Sequence, residues 1–397
     1  MLEVLRSVPK LQRLWLGSLL SGLGDSITWV ALSWFVLEKT ANNGGAVGLM
    51  LLCFSLPAIL TGAPLGRLLD RFGAKPIMLI DNLARVVVIG LIPLLQSLGV
   101  LELWMIFGLA AVAGVLAPAS SVGVRVILPQ LVPDHKLEAG NAALTWTQQL
   151  PSVLGPILAG ILVASWGATQ ALWFDVASFA VFALLLTTLP STPARVLEPT
   201  THTGLKMLLA YPRVVVVSIL SLAFFAAYGP LEAALPVYAR TVLHTDAAGY
   251  GSLWSVGGVG ILLGSLLVPA LSKLRPGWVL PGITFFWGVL QLGIGLSSSL
   301  PWCMVWMFLA CIIWGPYTAL ETSLIQRSVP GDQHGRIFGA RASLMTPAAP
   351  LGTALGGAAL GFMTSSMVIV VSAVLCILAG IVAFSFPALR RVPQHRD

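Results

Sequence analysis

Charge is what this chain has least of. Only 9% of its 397 residues are charged, against 57% hydrophobic, whereas soluble domains carry roughly 25% charged residues. A water-soluble fold of this composition would expose far too much apolar surface. The class is therefore a polytopic membrane protein. Cysteine is scarce too: Cys53, Cys303, Cys311 and Cys376 all fall inside apolar runs, which excludes a disulfide framework or zinc spacing. The five histidines (His135, His202, His244, His334, His395) lie in loops or at the tail, so no buried histidine relay is expected. No Gly-Lys pair occurs anywhere, nor a Gly-x-Ser-x-Gly elbow, nor His-Glu-x-x-His. These absences exclude a phosphate-binding ATPase loop and the commoner hydrolase centres. The expectation is no enzyme, no cofactor and no metal, with any uphill work driven by an ion gradient or a separate subunit. The net charge of +7 does not indicate nucleic acid, because the cations are scattered one to three per loop.

What the chain has in abundance is apolar length. A membrane span needs about 20 apolar residues, and twelve segments qualify: 14–37, 47–66, 76–98, 103–122, 139–164, 169–189, 213–236, 247–270, 278–297, 302–320, 340–362 and 367–387. The fourth fades near Pro118, and Gly229-Pro230 is expected to break the seventh. The first is of full span length with Asp25 in its middle, so no cleavable signal is expected. With both termini in the cytoplasm, 19 of 22 Lys and Arg residues lie on the inner side, as the positive-inside rule requires. The expected location is the inner (plasma) membrane of the cell.

Residues 190–212 form the longest polar connection, at the midpoint. They divide an N-terminal six-helix bundle (1–189) from a C-terminal one (213–397), with a short amphipathic segment expected at Gly204–Pro212. The halves repeat: Pro133, Gly155 and Gly160 recur as Pro330, Gly352 and Gly357, each 197 residues later. Duplicated halves are common in secondary transporters. The expected fold is all-α, twelve transmembrane helices in two pseudo-symmetric bundles.

Four acids interrupt this apolar frame. Asp25 lies near mid-depth, where an ionised carboxylate costs about 2.5–3.5 kcal/mol or more. It should face a watery cavity, find a partner or hold a proton; the plainer reading is a structural hydrogen bond between helices. Asp81 and Arg85, spaced i, i+4, can form a buried ion pair. Asp175 makes either a polar contact with the fifth helix or a transport site. Glu232, just after Gly229-Pro230, is a second candidate proton site or a solvated helix-end acid. Trp29, Gln148, Gln149, Phe225, Tyr228 and Trp314 are candidate cavity residues, since aromatic faces accept apolar or cationic substrates.

Between the second and third runs, Gly66 to Lys75 reads Gly-x-Leu-x-Asp-Arg-x-Gly-x-Lys, with Gly66, Asp70, Arg71, Gly73 and Lys75 at the specified places. This resembles the signature loop of the major facilitator superfamily. Gly155-Pro156-x-x-x-Gly160 looks like the antiporter motif of exporters in that family. The runs Leu131–Asn141 and Val329–Arg336 are similar to its drug:proton antiporter branch, which includes macrolide-efflux and enterobactin-export proteins. The resemblance covers essentially the whole chain. It implies alternating-access efflux of amphiphilic, drug-like or siderophore-like molecules in exchange for protons, by a monomer embedded in the lipid bilayer. It also implies that Asp70 latches the outward-open state against Arg125 and the region Gly339–Arg341. One departure stands out: Leu103–Val122 holds no basic residue where drug antiporters carry an arginine, and Arg85 is the candidate substitute. The alternatives are a facilitator, importer or lipid carrier of the same fold without proton antiport, or a receptor or scaffold that no longer transports.

Overall fold

Where no water can satisfy the backbone, an apolar run must close its hydrogen bonds internally. The structure, a computed structural model describing residues 2–133, 136–190, 203–330 and 333–386, answers that demand with helices, and no strand occurs among the described residues. Among the described residues, eleven stretches are long and apolar enough to span a membrane. Large apolar side chains cover the outside, Trp104, Leu184, Leu296 and Phe362 among them, a surface suited to lipid rather than water.

Contacts divide the chain into two units. Unit 1 comprises Met1–Ala41, Leu49–Glu198 and Asp246–Ser255; unit 2 comprises Asn42–Gly48, Pro199–Thr245 and Val256–Asp397. Most of the expected linker, 191–202, lies outside the described residues.

In unit 1, a short α1 (Leu2–Ser7) leads into α2 (Pro9–Lys39), followed by α3 (Gly44–Phe72), α4 (Ala74–Ser97), α5 (Leu103–Leu116), α6 (Pro118–Leu131), α7 (Leu137–Trp166) and α8 (Ala168–Thr187). The central helix is α2. Small residues let its neighbours approach closely, the usual device of membrane helix packing. A Cβ on Gly17 would fall 2.2 Å from the Phe182 ring of α8, and one on Gly24 would fall 2.1 Å from Asp175 Oδ1. Trp15 Nε1 donates to the Ala143 carbonyl of α7 at 2.9 Å.

In unit 2, α9 (Thr203–Leu209) covers part of the short segment expected at 204–212. It precedes α10 (Pro212–Thr241), α11 (Ala247–Ser265), α12 (Val268–Leu271), α13 (Pro276–Leu296), α14 (Leu300–Trp314), α15 (Tyr317–Ser328), α16 (His334–Met345), α17 (Ala348–Ala359) and α18 (Ser365–Phe384). Trp287 Nε1 donates to Gln291 Oε1 (2.8 Å), whose amide donates to Ser372 Oγ (2.7 Å), tying α13 to α18.

Four boundaries differ from expectation. The seventh run does not break at Gly229-Pro230: α10 is continuous, and proline removes only one backbone hydrogen bond from a well-packed helix. Gly229 serves instead for close approach, since a Cβ there would lie 2.4 Å from Thr353 N of α17. The fourth run divides at Ala117, with Pro118 starting α6. The tenth continues past 320 through α15. The eleventh is split around Pro347, so neither α16 nor α17 alone is long enough to count as a span.

The 197-residue repeat has a packing counterpart. Gly155 of α7 meets Ser26 of α2, and Gly352 of α17 meets Ala226 of α10. Gly160 meets Ala248 in the first turn of α11, and Gly357 meets Gly48 in the first turn of α3. Each pair lies within one unit, because the first residues of α3 (to Gly48) belong to unit 2 and those of α11 (to Ser255) to unit 1. Gly155→Leu should therefore separate α2 from α7, because a Cβ there would lie 2.3 Å from Ser26 Cβ. We expect a loss of about 1–3 kcal/mol. Thermal unfolding in detergent should show Gly155→Ala to be milder, with Ser26→Gly restoring part of its loss.

Candidate functional site

The charged centre of unit 1 is built on α4. Arg85, one turn beyond Asp81, places its Nε 3.0 Å from Asp81 Oδ1. Its Nη1 donates to Asp25 Oδ1 on α2, also at 3.0 Å. The guanidinium lies over the Phe179 ring of α8, 5.0 Å from the centroid, where a cation is attracted to the π-face. Three helices thus converge on one arginine, whose planar fork suits simultaneous pairing.

The two carboxylates on Arg85 differ in kind. Asp81 is 2% exposed. Its Oδ2 accepts from Ser120 N (3.2 Å) and from Ser120 Oγ, so it caps the start of α6, where free N–H groups favour an anion. Asn82 adds a 3.0 Å donation to Ser120 Oγ. This polar clamp accounts for α6 starting at Pro118. Asp25 is 48% exposed at its side chain. It stands midway along α2, sixteen residues after Pro9 and fourteen before Lys39, and it opens into a cavity of about 500 Å³. That size suits a small organic molecule. Its lining includes Ser18, Ser21, Ser26, Ser120, Asn141, Gln148 and Arg125.

A second cavity, about 30 Å³, lies further along α2. Asp25 and Arg85 line both cavities. Beyond them the lining passes to Thr28, Trp29, Leu32, Met50, Phe54, Ile89, Ala113, Asp175 and Phe179. Asp175 is wholly buried. Its Oδ2 accepts from Thr28 Oγ1 at 2.5 Å, and among the described residues no cation lies within ion-pairing distance of it.

The remaining candidates scatter. Trp29 meets Phe54 edge-on, 6.1 Å between centroids. Gln148 lines the large cavity but Gln149 does not, being turned about 100° further round the helix. In unit 2, Phe225, Tyr228 and Trp314 gather around Phe224, with Trp314 stacked on it at 3.9 Å. Glu232 Oε2 accepts from Thr353 Oγ1 at 3.1 Å.

Of the signature loop, Gly66 and Asp70 lie within α3, but their side-chain surroundings fall outside the described residues. The same limit applies to Asp134, His135, Gly331 and Asp332 of the two similar runs. Gly73 turns the chain with φ +84°, a conformation glycine adopts without strain. Arg71 is exposed, over Phe72. Lys75 Nζ donates to the carbonyls of Thr187 (2.9 Å) and Leu189 (2.5 Å), capping the end of α8. Lys75→Met should cost about 0.3–1 kcal/mol, visible as a small fall in melting temperature that high salt does not restore.

Pattern reading missed one cluster. In unit 2, Glu321 of α15 accepts from Arg341 Nη2 of α16 and from Ser221 Oγ of α10, and Ser221 is 2.9 Å from Tyr317 Oη. The tenth apolar run ends at 320, one residue short of this acid. A buried acid one turn past Tyr317 was the available signal.

Repeated helical units, an apolar exterior and a charged internal cavity define a membrane transporter rather than an enzyme. The chain belongs to the Major Facilitator Superfamily, whose family model matches residues 14–350. It is 23% identical to the multidrug efflux pump Tap of Mycolicibacterium fortuitum, over 94% of this chain and 95% of that protein. It is 22% identical to macrolide efflux protein A of Streptococcus pyogenes, over 92% and 95%. Its fold is similar to that of the nucleoside transporter NupG, with a TM-score of 0.76 at 15% identity over 97% of this chain and 100% of that one. It is a multi-pass membrane protein that acts on small molecules.

Proposed function

We propose that this protein expels amphiphilic, drug-like molecules across the inner membrane in exchange for protons, with Asp25 as the proton carrier. The observation that carries this reading is the half-exposed Asp25 carboxylate, set at the midpoint of α2 between a large cavity and a buried arginine. Charge balance supports it. Asp25 and Asp81 share a single guanidinium, and Asp175 lines the same small cavity as that arginine, so full ionisation would leave two of the three negative charges uncompensated. The names of the relatives, multidrug and macrolide efflux proteins, support the direction and the substrate class.

Glu232, hydrogen-bonded only through Thr353 among the described residues, is a second proton site in this reading. Asp70 is the latch, with Arg125 its partner. The carrier works as a monomer by alternating access, with both termini in the cytoplasm.

The test is accumulation of ethidium, an amphiphilic cation, in inverted membrane vesicles. Accumulation should follow an imposed pH gradient and collapse with a protonophore. Accumulation indifferent to the gradient would favour a facilitator.

A further inference from the structure

We propose that Asp175 is a second proton-holding group, joined to Asp25 through the small cavity that both line. This rests on the reading of Asp25 as a proton carrier and adds a store behind it.

The argument starts from hydrogen counting around Asp175. Thr28 Oγ1 gives its one proton to Oδ2 at 2.5 Å. Ser178 Oγ lies 2.8 Å from the Asp175 carbonyl and 3.1 Å from Asp175 Oδ1. One hydroxyl has one proton, so it cannot donate to both. If Asp175 carries a proton on Oδ1, Ser178 accepts that proton and donates its own to the carbonyl, and every group is satisfied. An ionised Asp175 leaves one of the two contacts without a hydrogen, in a site with no direct cation.

Access is equally specific. Gly24, the residue before Asp25, has no side chain, and a Cβ there would lie 2.1 Å from Asp175 Oδ1. Its absence lets the Asp175 carboxyl sit against α2 beside Asp25. The cavity between them, about 30 Å³, can hold a water molecule, which needs roughly 10–15 Å³ and two or more polar partners. Thr28, Asp25, Asp175 and Arg85 supply those partners. Trp29, Leu32, Met50 and Phe54 add apolar groups to its lining.

A proton taken up by Asp25 from the large cavity passes to this water, which gives one of its own to Asp175 Oδ1. Asp25 is left ionised against Arg85 and Asp175 neutral; the water is regenerated. The charged groups facing Asp175 are Asp25 from α2 and Arg85 from α4, with Asp81 behind the arginine. Helix α7 carries no ionisable residue beyond Glu138, and α8 none besides Asp175 itself.

Infrared difference spectroscopy on the purified full-length protein tests this without a substrate. Asp175→Asn should remove one carboxylic-acid C=O band that titrates with pH and exchanges in D2O. In Asp25→Asn that band should remain, but exchange more slowly by about tenfold or more. Thr28→Val keeps the acid and removes one donor, so the band should shift; this variant stands in if Asp175→Asn fails to fold. A spectrum with no band lost in Asp175→Asn, no shift in Thr28→Val, or exchange unaltered in Asp25→Asn would each overturn the relay. In the vesicle assay, transport kept by Asp175→Asn but lost by Asp25→Asn would sink the relay alone; transport kept by Asp25→Asn would sink the reading beneath it.

Discussion

Asp25→Asn should abolish gradient-driven accumulation while leaving the protein folded. Asparagine keeps the size and an oxygen that Arg85 can reach. It removes only the exchangeable proton and the charge. Arg85 retains Asp81 and the Phe179 face, so the converging helices keep their anchor. A gradient of one pH unit is worth about 1.4 kcal/mol per proton, enough to sustain up to about tenfold accumulation in a one-for-one exchange. Without the carrier that driving force has no coupling, and the inside-to-outside ratio should fall to one. Downhill movement of ethidium should survive, which separates lost coupling from lost protein. Asp25→Glu, which restores a proton carrier on a longer arm, should recover part of the accumulation.

Arg85→Met should be the most destabilising single change in unit 1. It leaves Asp81, 2% exposed, without its cation, and deprives Asp25 of its ion-pair partner. Removing one partner of a buried pair typically costs about 3–5 kcal/mol, because the other charge stays behind. The expected result is a large fall in melting temperature or loss of monodisperse protein in detergent. Asp81→Asn added to Arg85→Met should recover part of the loss. The neutral amide oxygen still accepts from Ser120 at the start of α6, and the stranded charge is gone. A single Arg85→Met variant that melts like the wild type would show that the cluster does not hold these helices together.

Much of this architecture could be read from the residues alone. Apolar length marked the spans, because the bilayer imposes a minimum run and penalises charge within it. The glycines 197 residues apart could be read too, since close packing leaves few choices of residue; they meet corresponding helices in each unit. The i, i+4 spacing of Asp81 and Arg85 was visible, but the sharing of Arg85 with Asp25 was not. Spacing along one helix says nothing about the rotation of the next. For the same reason the contact of Asp175 expected with the fifth helix falls elsewhere: its partner is Thr28 of α2, 147 residues away in sequence. Glu321 escaped because hydropathy fades where α15 becomes polar, although the helix does not end there.

The central claim is that ligand and proton compete through Asp25. Its most direct measurement is proton release on ligand binding, in weakly buffered detergent solution, with ethidium fluorescence reporting occupancy. The wild type should release protons in proportion to ethidium bound, and Asp25→Asn should bind ethidium with no release. Ethidium bound by the wild type with no change in proton concentration would contradict the account.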